Sequence, residues 1–258
     1  MAKPRAYKTE AIVLKRTNLG EADCIVTLYT PHLGKIRAVA KGIRRPQSKL
    51  GGHLDLLIQS ALLLAHGQNL DIITQSQTIE SFLPLRNDLK HIACALYLAD
   101  LVDQFTPDEA ENYFVYELLR NDLLWLCEAR DFHVVLRHFE LHILRHLGYQ
   151  PELYHCLRCR SPILPEHNVF SASGGGALCP ACGDQEPAAR LISVDALKVL
   201  RFLATSERGS AKRLRMGREL SREVEHLTRW YIAYILEREV KSLGFLDRLE
   251  QESLFCRA

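Results

Sequence analysis

Two Cys-x-x-Cys pairs, separated by nineteen residues, place the strongest constraint on how this chain folds. The pairs are Cys156 with Cys159 and Cys179 with Cys182. Each pair forms a tight turn that presents two thiols in one direction, and four thiolates at this spacing can surround one zinc ion. Four sulfur ligands leave no open position for water or substrate, so we expect a structural site. The alternative is that one or both pairs are surface thiols or a redox pair.

The composition is typical of a cytoplasmic protein with a sizeable core. Hydrophobic residues make up 47% of the 258 residues, which argues against global disorder. No apolar run approaches the roughly 20 residues of a membrane span, and no apolar block of a signal peptide is visible. In the cytoplasm, eight cysteines are expected to be thiols or metal ligands.

Residues 7–80 carry a β pattern. Short β-branched or apolar runs alternate with turn-like segments, and this spacing predicts a small barrel. Closing the sheet removes its unpaired edges and leaves an open face for a ligand. The predicted strands are residues 11–14, 24–29, 36–40, 54–58, 61–64 and 70–74.

After Glu80 the apolar residues change to helical spacing. Thr106, Pro107 and Glu109 have the pattern of a capping box, which predicts a helix from there to about residue 129. Caps and periodicity predict four further helices. These span residues 85–99, about 131–147 with a stop at Gly148, 193–203 with Ser193 as N-cap, and Leu220 to near Gly244 with Tyr234 on the apolar face.

Charge is segregated along the chain, although the formal net charge is only +2. Residues 1–80 hold eleven Lys and Arg against six Asp and Glu, whereas residues 81–150 hold six against eleven. Six cations and no acid lie within residues 35–49, a strand that continues into a loop. This pattern favours a surface that follows phosphates without reading bases, and a solvated basic loop is the alternative. The predicted nucleic-acid contacts are Lys35, Arg37, Lys41, Arg44, Arg45 and Lys49.

A second basic stretch runs from Lys198 to Arg222 and contains eight Lys and Arg against two Glu. Secondary nucleic-acid contacts are predicted here at Arg213, Arg215 and Arg218. Ordinary surface charge near helix ends is the alternative.

Three histidines at helical spacing offer a weaker candidate site. His138, His142 and His146 could hold a metal, but no H-E-x-x-H pattern is present, so a polar helix face is favoured. The P-loop, dinucleotide and nucleophile-elbow patterns are also missing from the sequence. We therefore expect a protein that is not an enzyme.

Several motifs together resemble the RecO family of DNA repair and recombination mediators. In the N-terminal part they include Gly20-Glu-Ala-Asp23, Ala38-Val-Ala-Lys-Gly42 and Ser48-Lys-Leu50. Later in the chain they include the segment from Gly174 to Cys182 and Val240-Lys-Ser-Leu243. The similarity extends over essentially the whole length.

This resemblance implies an α+β architecture with an N-terminal OB-fold β-barrel in residues 1–80. An α-helical domain in residues 81–258 would follow, with a four-cysteine zinc-binding insert at 152–190. The zinc ligands would be Cys156, Cys159, Cys179 and Cys182, and the implied cofactor is one structural Zn²⁺.

The resemblance also implies binding of single- and double-stranded DNA and annealing of complementary strands. With its partner RecR, such a protein helps load RecA onto strands coated by single-stranded-DNA-binding protein (SSB). The acidic C-terminal tail of SSB would bind the helical domain. The implied location is the bacterial cytoplasm, in association with the nucleoid.

Two alternatives follow from the residues themselves. One is an RNA-binding module with an OB-fold and a zinc site, which would prefer RNA over DNA of the same sequence. The other is a metal-dependent nuclease that uses His138, His142 and His146, and whose activity a chelator would abolish.

Overall fold

The computed structural model describes residues 5–129 and 131–255. Within them the chain forms two compact units. The barrel unit contains the residues up to Glu128 and those from Lys241 onward, and the knuckle unit is Ala129–Val240. The predicted division at residue 80 and the limits of the predicted zinc insert stay predictions.

The barrel unit begins with five strands that close on themselves in the order β1-β2-β3-β5-β4. The inward-facing side chains form one apolar cluster that includes Val13, Val26 and Leu64. This OB-like barrel confirms the predicted β region and, with the helices that follow, the α+β class. The strands are β1 (Ala6–Leu19), β2 (Asp23–Thr30), β3 (Gly34–Ala40), β4 (Gln59–Ala65) and β5 (Asp71–Glu80).

One predicted strand is wrong. Residues 54–58 form a turn instead, in which Leu57 has a φ of 66°. Leu54 and Leu57 are buried, and backbone bonds of 2.8 and 3.0 Å join Leu57 and Ile58 to Val13. The run is apolar because it packs against the barrel, and a short buried run looks the same in sequence whether or not it is a strand.

Two helices follow the barrel, α1 (Leu89–Phe105) and α2 (Tyr113–Glu128). The predicted helix start at Thr106 is wrong, because Thr106 ends α1: its backbone N–H donates to the carbonyl of Val102 at 3.1 Å. The chain from Thr106 forms an irregular segment, residues 106–112, with a turn at Glu109 (φ 58°) before α2 begins. The last helix, α8 (Leu243–Phe255), packs on α1. Just before α8, the Ser242 hydroxyl donates to the carboxylate of Asp100 on α1 at 2.8 Å.

The knuckle unit is mainly helical, with a three-stranded sheet of order β7-β6-β8. The predicted cap at Ser193 is confirmed, because its hydroxyl accepts from the N–H of Ala196. The helix predicted from about residue 131 is also present, and Asp131 caps it by accepting from the N–H of His133. The elements are α3 (Phe132–His146), β6 (Asn168–Ser171), β7 (Gly176–Leu178), α4 (Pro180–Gly183), β8 (Arg190–Ile192), α5 (Val194–Thr205), α6 (Arg208–Ala211) and α7 (Arg218–Leu236).

The prediction that the long helix continues to near Gly244 is also wrong. Helix α7 ends at Leu236, where Glu237 turns the chain with a φ of 53°. Tyr234, expected on the apolar face, is half exposed. The break separates α7 from α8, which belongs to the other unit.

A buried ion network joins α3 to α7. The guanidinium of Arg137 lies 2.5 Å from the carboxylate of Glu140 and 3.5 Å from that of Glu225, which also pairs with Arg229 at 2.5 Å. Burial acts to raise the pKa of Glu225, but the two guanidinium groups outweigh it and hold that pKa below its usual value. In the described part of the chain, no helix is both long and apolar enough to cross a membrane.

Candidate nucleic-acid interface and metal centre

Lys35, the first predicted nucleic-acid contact, is enclosed by acidic residues of the barrel unit. Its side chain is only 10% exposed, and its ammonium donates to the carbonyl of Asp103 at 2.6 Å. The carboxylates of Asp103 and Asp108 lie 3.3 and 3.5 Å away. The charge of Lys35 is therefore compensated within the barrel unit and is not presented to a phosphate.

The cover over Lys35 is the segment of residues 106–112. It runs beside β3 as a parallel bridge between Lys35 and Asp108, and the N–H of Glu109 donates to the Lys35 carbonyl at 2.8 Å. Gly34 permits this approach, because a Cβ there would overlap the carbonyl of Ala110. Its φ of +63° also favours glycine. Strand alternation in the sequence showed which face Lys35 occupies, but not that a later segment covers it.

Arg37 lies on the same face of β3 and remains exposed over 55% of its side chain. Its guanidinium pairs with Asp108 at 3.3 Å. An exposed pair of this kind is weak and screened by salt, so a phosphate can compete for Arg37 at modest cost.

The remaining predicted contacts lie on a loop, residues 41–49, which we call the cationic loop. All four are exposed, and within the described residues none of the four makes an ion pair. Their positive charge is therefore available to a ligand. They are Lys41, Arg44, Arg45 and Lys49.

Backbone bonds hold the start of the cationic loop against the β1–β2 turn. The N–H of Gly42 donates to the carboxylate of Asp23 at 2.7 Å, and that of Arg44 donates to the carbonyl of Ala22 at 3.0 Å. Between them, Ile43 inserts into the barrel core. These bonds fix the backbone, and Arg44 also donates from its guanidinium to the Gly20 carbonyl at 3.5 Å, so part of the ordering precedes binding and its entropic cost is lower.

Lys15 is a further cation of this face that the sequence reasoning missed. Its partner on β2 is Thr27, which in turn pairs with Arg37 on β3, so the three residues form one row across the sheet. Lys15 is exposed and has no ion-pair partner within residues 5–129 and 131–255. The signal was obscured by a β-bulge between Val13 and Lys15, which changes the face that the following residues occupy.

The secondary basic stretch lies in the knuckle unit, around the connection between α6 and α7. Arg213, Arg215 and Arg218 are all exposed. The Arg215 guanidinium donates to the carbonyls of Lys212 and Leu214 at 3.0 and 2.9 Å, which closes the turn while its charge remains uncompensated by these neutral partners.

The four knuckle cysteines converge on one point. All four Sγ atoms lie within 4.8 Å of one another, and the Cys159 and Cys179 Sγ atoms are 3.7 Å apart. The N–H of Leu157 donates to the carbonyl of Ala177 at 3.1 Å and joins the two halves of the cluster. This group can hold a metal ion.

Hydrogen bonds perturb the thiols of the cluster. Burial acts to raise the pKa of Cys156, but N–H donors of Cys159, Cys179 and Arg158 lower it to about 6. The thiol of Cys182 shows the opposite shift: its hydrogen bond with Cys179 and partial burial raise its pKa to about 12. The thiolate is the form in which a cysteine binds a metal ion.

The first knuckle turn contains a strained residue. Arg160 has a φ of 61°, a left-handed conformation that favours glycine, and its N–H donates to the carbonyl of Cys156 at 3.0 Å. The corresponding turn of the second pair has Gly183, whose N–H donates to the Cys179 carbonyl at 2.8 Å.

The histidine row on α3 does not form a metal site. The rings of His138 and His142 stack with centroids 4.1 Å apart, and Nε2 of His142 donates to the carbonyl of Leu203 at 3.1 Å. Burial, followed by the field of His138, lowers the pKa of His142 to about 4. Within the described residues, the four cysteines are the only group of metal-ligand side chains that converges.

Comparison with known proteins gives a consistent result. The family described as "Recombination protein O N terminal" matches residues 1–82, and "Recombination protein O C terminal" matches residues 86–244. A protein of Dehalococcoides mccartyi named DNA repair protein RecO is 40% identical over 254 residues, which are 98% of this chain and 100% of that protein.

Two further relatives carry the same name. The protein of Roseiflexus sp. is 42% identical over 96% of this chain and 87% of its own length. That of Symbiobacterium thermophilum is 36% identical over 94% of this chain and 97% of its own. An OB-like barrel, a converging group of four cysteines and matches over both halves lead to one conclusion: the chain belongs to the RecO family of DNA repair proteins.

Proposed function

We propose that this protein is a recombination mediator that binds single- and double-stranded DNA and anneals complementary strands without catalysis. The observation that carries the proposal is the cationic loop, whose four side chains are exposed and form no ion pair among the described residues. We assign Lys15, Arg37, Lys41, Arg44, Arg45 and Lys49 as DNA contacts, with Arg213, Arg215 and Arg218 as secondary ones.

Phosphate neutralisation explains how such a surface promotes annealing. Two strands repel each other through their backbones, and cations that contact each backbone reduce this repulsion while releasing counterions. The loop carries Lys and Arg but no aromatic side chain on which bases could stack. The Watson–Crick edges therefore remain available for pairing with the complementary strand.

The proposed partners follow from family membership. We propose that the protein works with RecR to load RecA onto DNA coated by SSB, and that it binds the C-terminal tail of SSB. Replacement of SSB by RecA requires a surface that holds the DNA while SSB dissociates. We propose that the cationic loop is this surface.

We propose Zn²⁺ as the metal of the four-cysteine group. Tetrahedral coordination with Zn–S bonds of about 2.3 Å requires sulfur atoms roughly 3.8 Å apart. The Cys159–Cys179 distance of 3.7 Å fits this value, and the other pairs lie within 4.8 Å. Held by four sulfurs, the ion would act only as a cross-link between the two knuckle turns.

The test is annealing of complementary oligonucleotides, one strand precoated with SSB, in the absence of ATP. Acceleration that fades with rising salt is expected. A double variant, Arg44→Glu with Arg45→Glu, should lose the acceleration, whereas the same reversal at Lys198 and Arg238, two exposed cations of the knuckle unit, serves as the charge-matched control. No acceleration by the unaltered protein, together with tighter binding to RNA than to DNA, would instead support an RNA-binding module.

A further inference from the structure

A groove of about 1290 Å³ opens on the outside of the barrel unit. It is lined by the start of β1, the β2–β3 turn, the first half of β3, the β4–β5 connection and six residues between positions 108 and 117. Among the described residues that line it, none belongs to the cationic loop. The groove is therefore a separate surface from the proposed DNA contacts of that loop.

The groove carries a surplus of negative charge. Six carboxylates and three cations line it, and two of the cations, Lys35 and Arg37, already pair with Asp108. Such a surface favours a cationic ligand over an anionic one. The carboxylates belong to Glu10, Asp71, Asp108, Glu109, Glu111 and Glu117.

The exposed carboxylates extend from a fixed backbone. Asp108 and Glu109 are joined to β3 by the bridge to Lys35 and by the bond of 2.8 Å to its carbonyl. Glu111 pairs with the ring of His32 at 3.3 Å on the facing wall. Because the segment is already ordered, a ligand would gain ion pairs without the entropic cost of arranging these acids.

The groove also offers exposed apolar surface. Tyr113 is 47% and Leu33 is 39% exposed. The ring of His32 stacks on that of Tyr113, with centroids 5.8 Å apart and planes inclined by 13°. Exposed aromatic rings beside carboxylates suit Lys and Arg side chains, which bind carboxylates through their head groups and aromatic faces through cation–π contact.

We propose that this groove docks an extended, cationic segment of a partner protein, with Lys or Arg side chains on its carboxylates and an apolar side chain against Tyr113 and Leu33. The inference goes beyond the proposed function, since it adds a protein-binding surface to the same barrel. Lys35 in the groove and Lys41 on the loop are six residues apart, about 20 Å along an extended strand. Arg37, a proposed DNA contact, also lines the groove, so the two ligands meet at this residue while the four cations of the loop lie outside it.

The test uses a fluorescein-labelled heptapeptide of alternating Arg and Leu, with binding followed by fluorescence anisotropy. The variant is Glu109→Gln with Glu111→Gln, which removes two charges and keeps the shape of both side chains. Its affinity for the peptide should fall at least about fivefold, because two exposed ion pairs are lost. The matched control is Glu166→Gln with Glu207→Gln, two exposed carboxylates of the knuckle unit, and it should leave peptide affinity unchanged.

Two results would overturn the proposal. One is an equal loss of affinity in both double variants, which would mean that the peptide responds only to net charge. The other is complete displacement of the peptide from the unaltered protein by single-stranded DNA, which would place both ligands on one surface. The DNA affinity of the Glu109 and Glu111 variant should not fall. A failure of the proposed peptide docking is therefore distinguishable from a failure of the proposed DNA binding.

Discussion

Lys35 and the arginines of the cationic loop are equally basic in sequence, yet the structure gives them opposite surroundings. We expect Arg44→Ala with Arg45→Ala to weaken DNA binding and leave stability nearly unchanged, since both side chains are exposed. We expect Lys35→Met to do the reverse, because its ammonium lies between Asp103 and Asp108. The two variants therefore separate a DNA contact from a structural ion pair.

The magnitudes follow from the number of phosphates that each side chain can reach. On single-stranded DNA each neutralised phosphate contributes about 0.7 to the slope of log affinity against log salt, so loss of two contacts should flatten that slope by about 1.4. Affinity at moderate salt should fall about tenfold, and equally for all sequences. For Lys35→Met the slope should stay the same.

The structural cost of Lys35→Met comes from the acids that it leaves behind. Asp103 and Asp108 are 26% and 46% exposed, so water can solvate both in part. We expect a loss of about 1–3 kcal/mol in the free energy of unfolding, less than for a fully buried pair. Urea denaturation measures this loss, and fluorescence anisotropy over a NaCl series measures the slope.

A Lys35→Met variant that flattens the salt slope as much as the double arginine variant does would contradict a purely structural role for Lys35. That result would mean that residues 106–112 leave β3 in the DNA complex. An unchanged slope in the arginine variant would equally remove the cationic loop from the interface.

Four further outcomes are expected. Arg160→Gly should raise the free energy of unfolding by about 1 kcal/mol, because glycine relieves the left-handed strain; a lower melting temperature would contradict this. Gly34→Ala should destabilise the barrel unit by about 2 kcal/mol or more, through its positive φ and the overlap with Ala110, as thermal unfolding would show. Glu225 has a lowered pKa when folded, so its contribution to stability is complete at neutral pH and is lost as pH falls below the unfolded value of about 4.3; Glu225→Gln should remove this component from the pH dependence of unfolding. Cys182→Ser should abolish stoichiometric metal binding, measured by native mass spectrometry, and lower the melting temperature.

Local signals in the sequence predicted the elements that local interactions determine. Ser193 caps α5 and Asp131 caps α3 because each side chain bonds to an N–H two or three residues later, within the same turn. The barrel strands could be predicted for the same reason. Apolar residues alternate along a strand when one of its faces packs into the core. The convergence of the four cysteines could be predicted because each Cys-x-x-Cys turn fixes two thiols locally. The fold then has only to bring the two turns face to face.

Predictions failed where distant residues decide the conformation. Thr106 has a capping pattern, but the chain after it pairs with Lys35, some seventy positions earlier. The apolar run at residues 54–58 packs against the barrel at Val13 and is not a strand. Lys15 was missed because a bulge changed its face. In each case the deciding contact is long-range, and no periodicity within a short window contains it.

The return of the chain to the barrel unit at Lys241 has a consequence for synthesis. The barrel strands, α1 and α2 leave the ribosome first, but α8 and the bond from Ser242 to Asp100 arrive only after all of Ala129–Val240 has been translated. The first-made unit therefore waits for its last helix while the intervening unit folds. Until then one side of α1 lacks its partner, so the nascent chain exposes surface that the finished barrel unit covers.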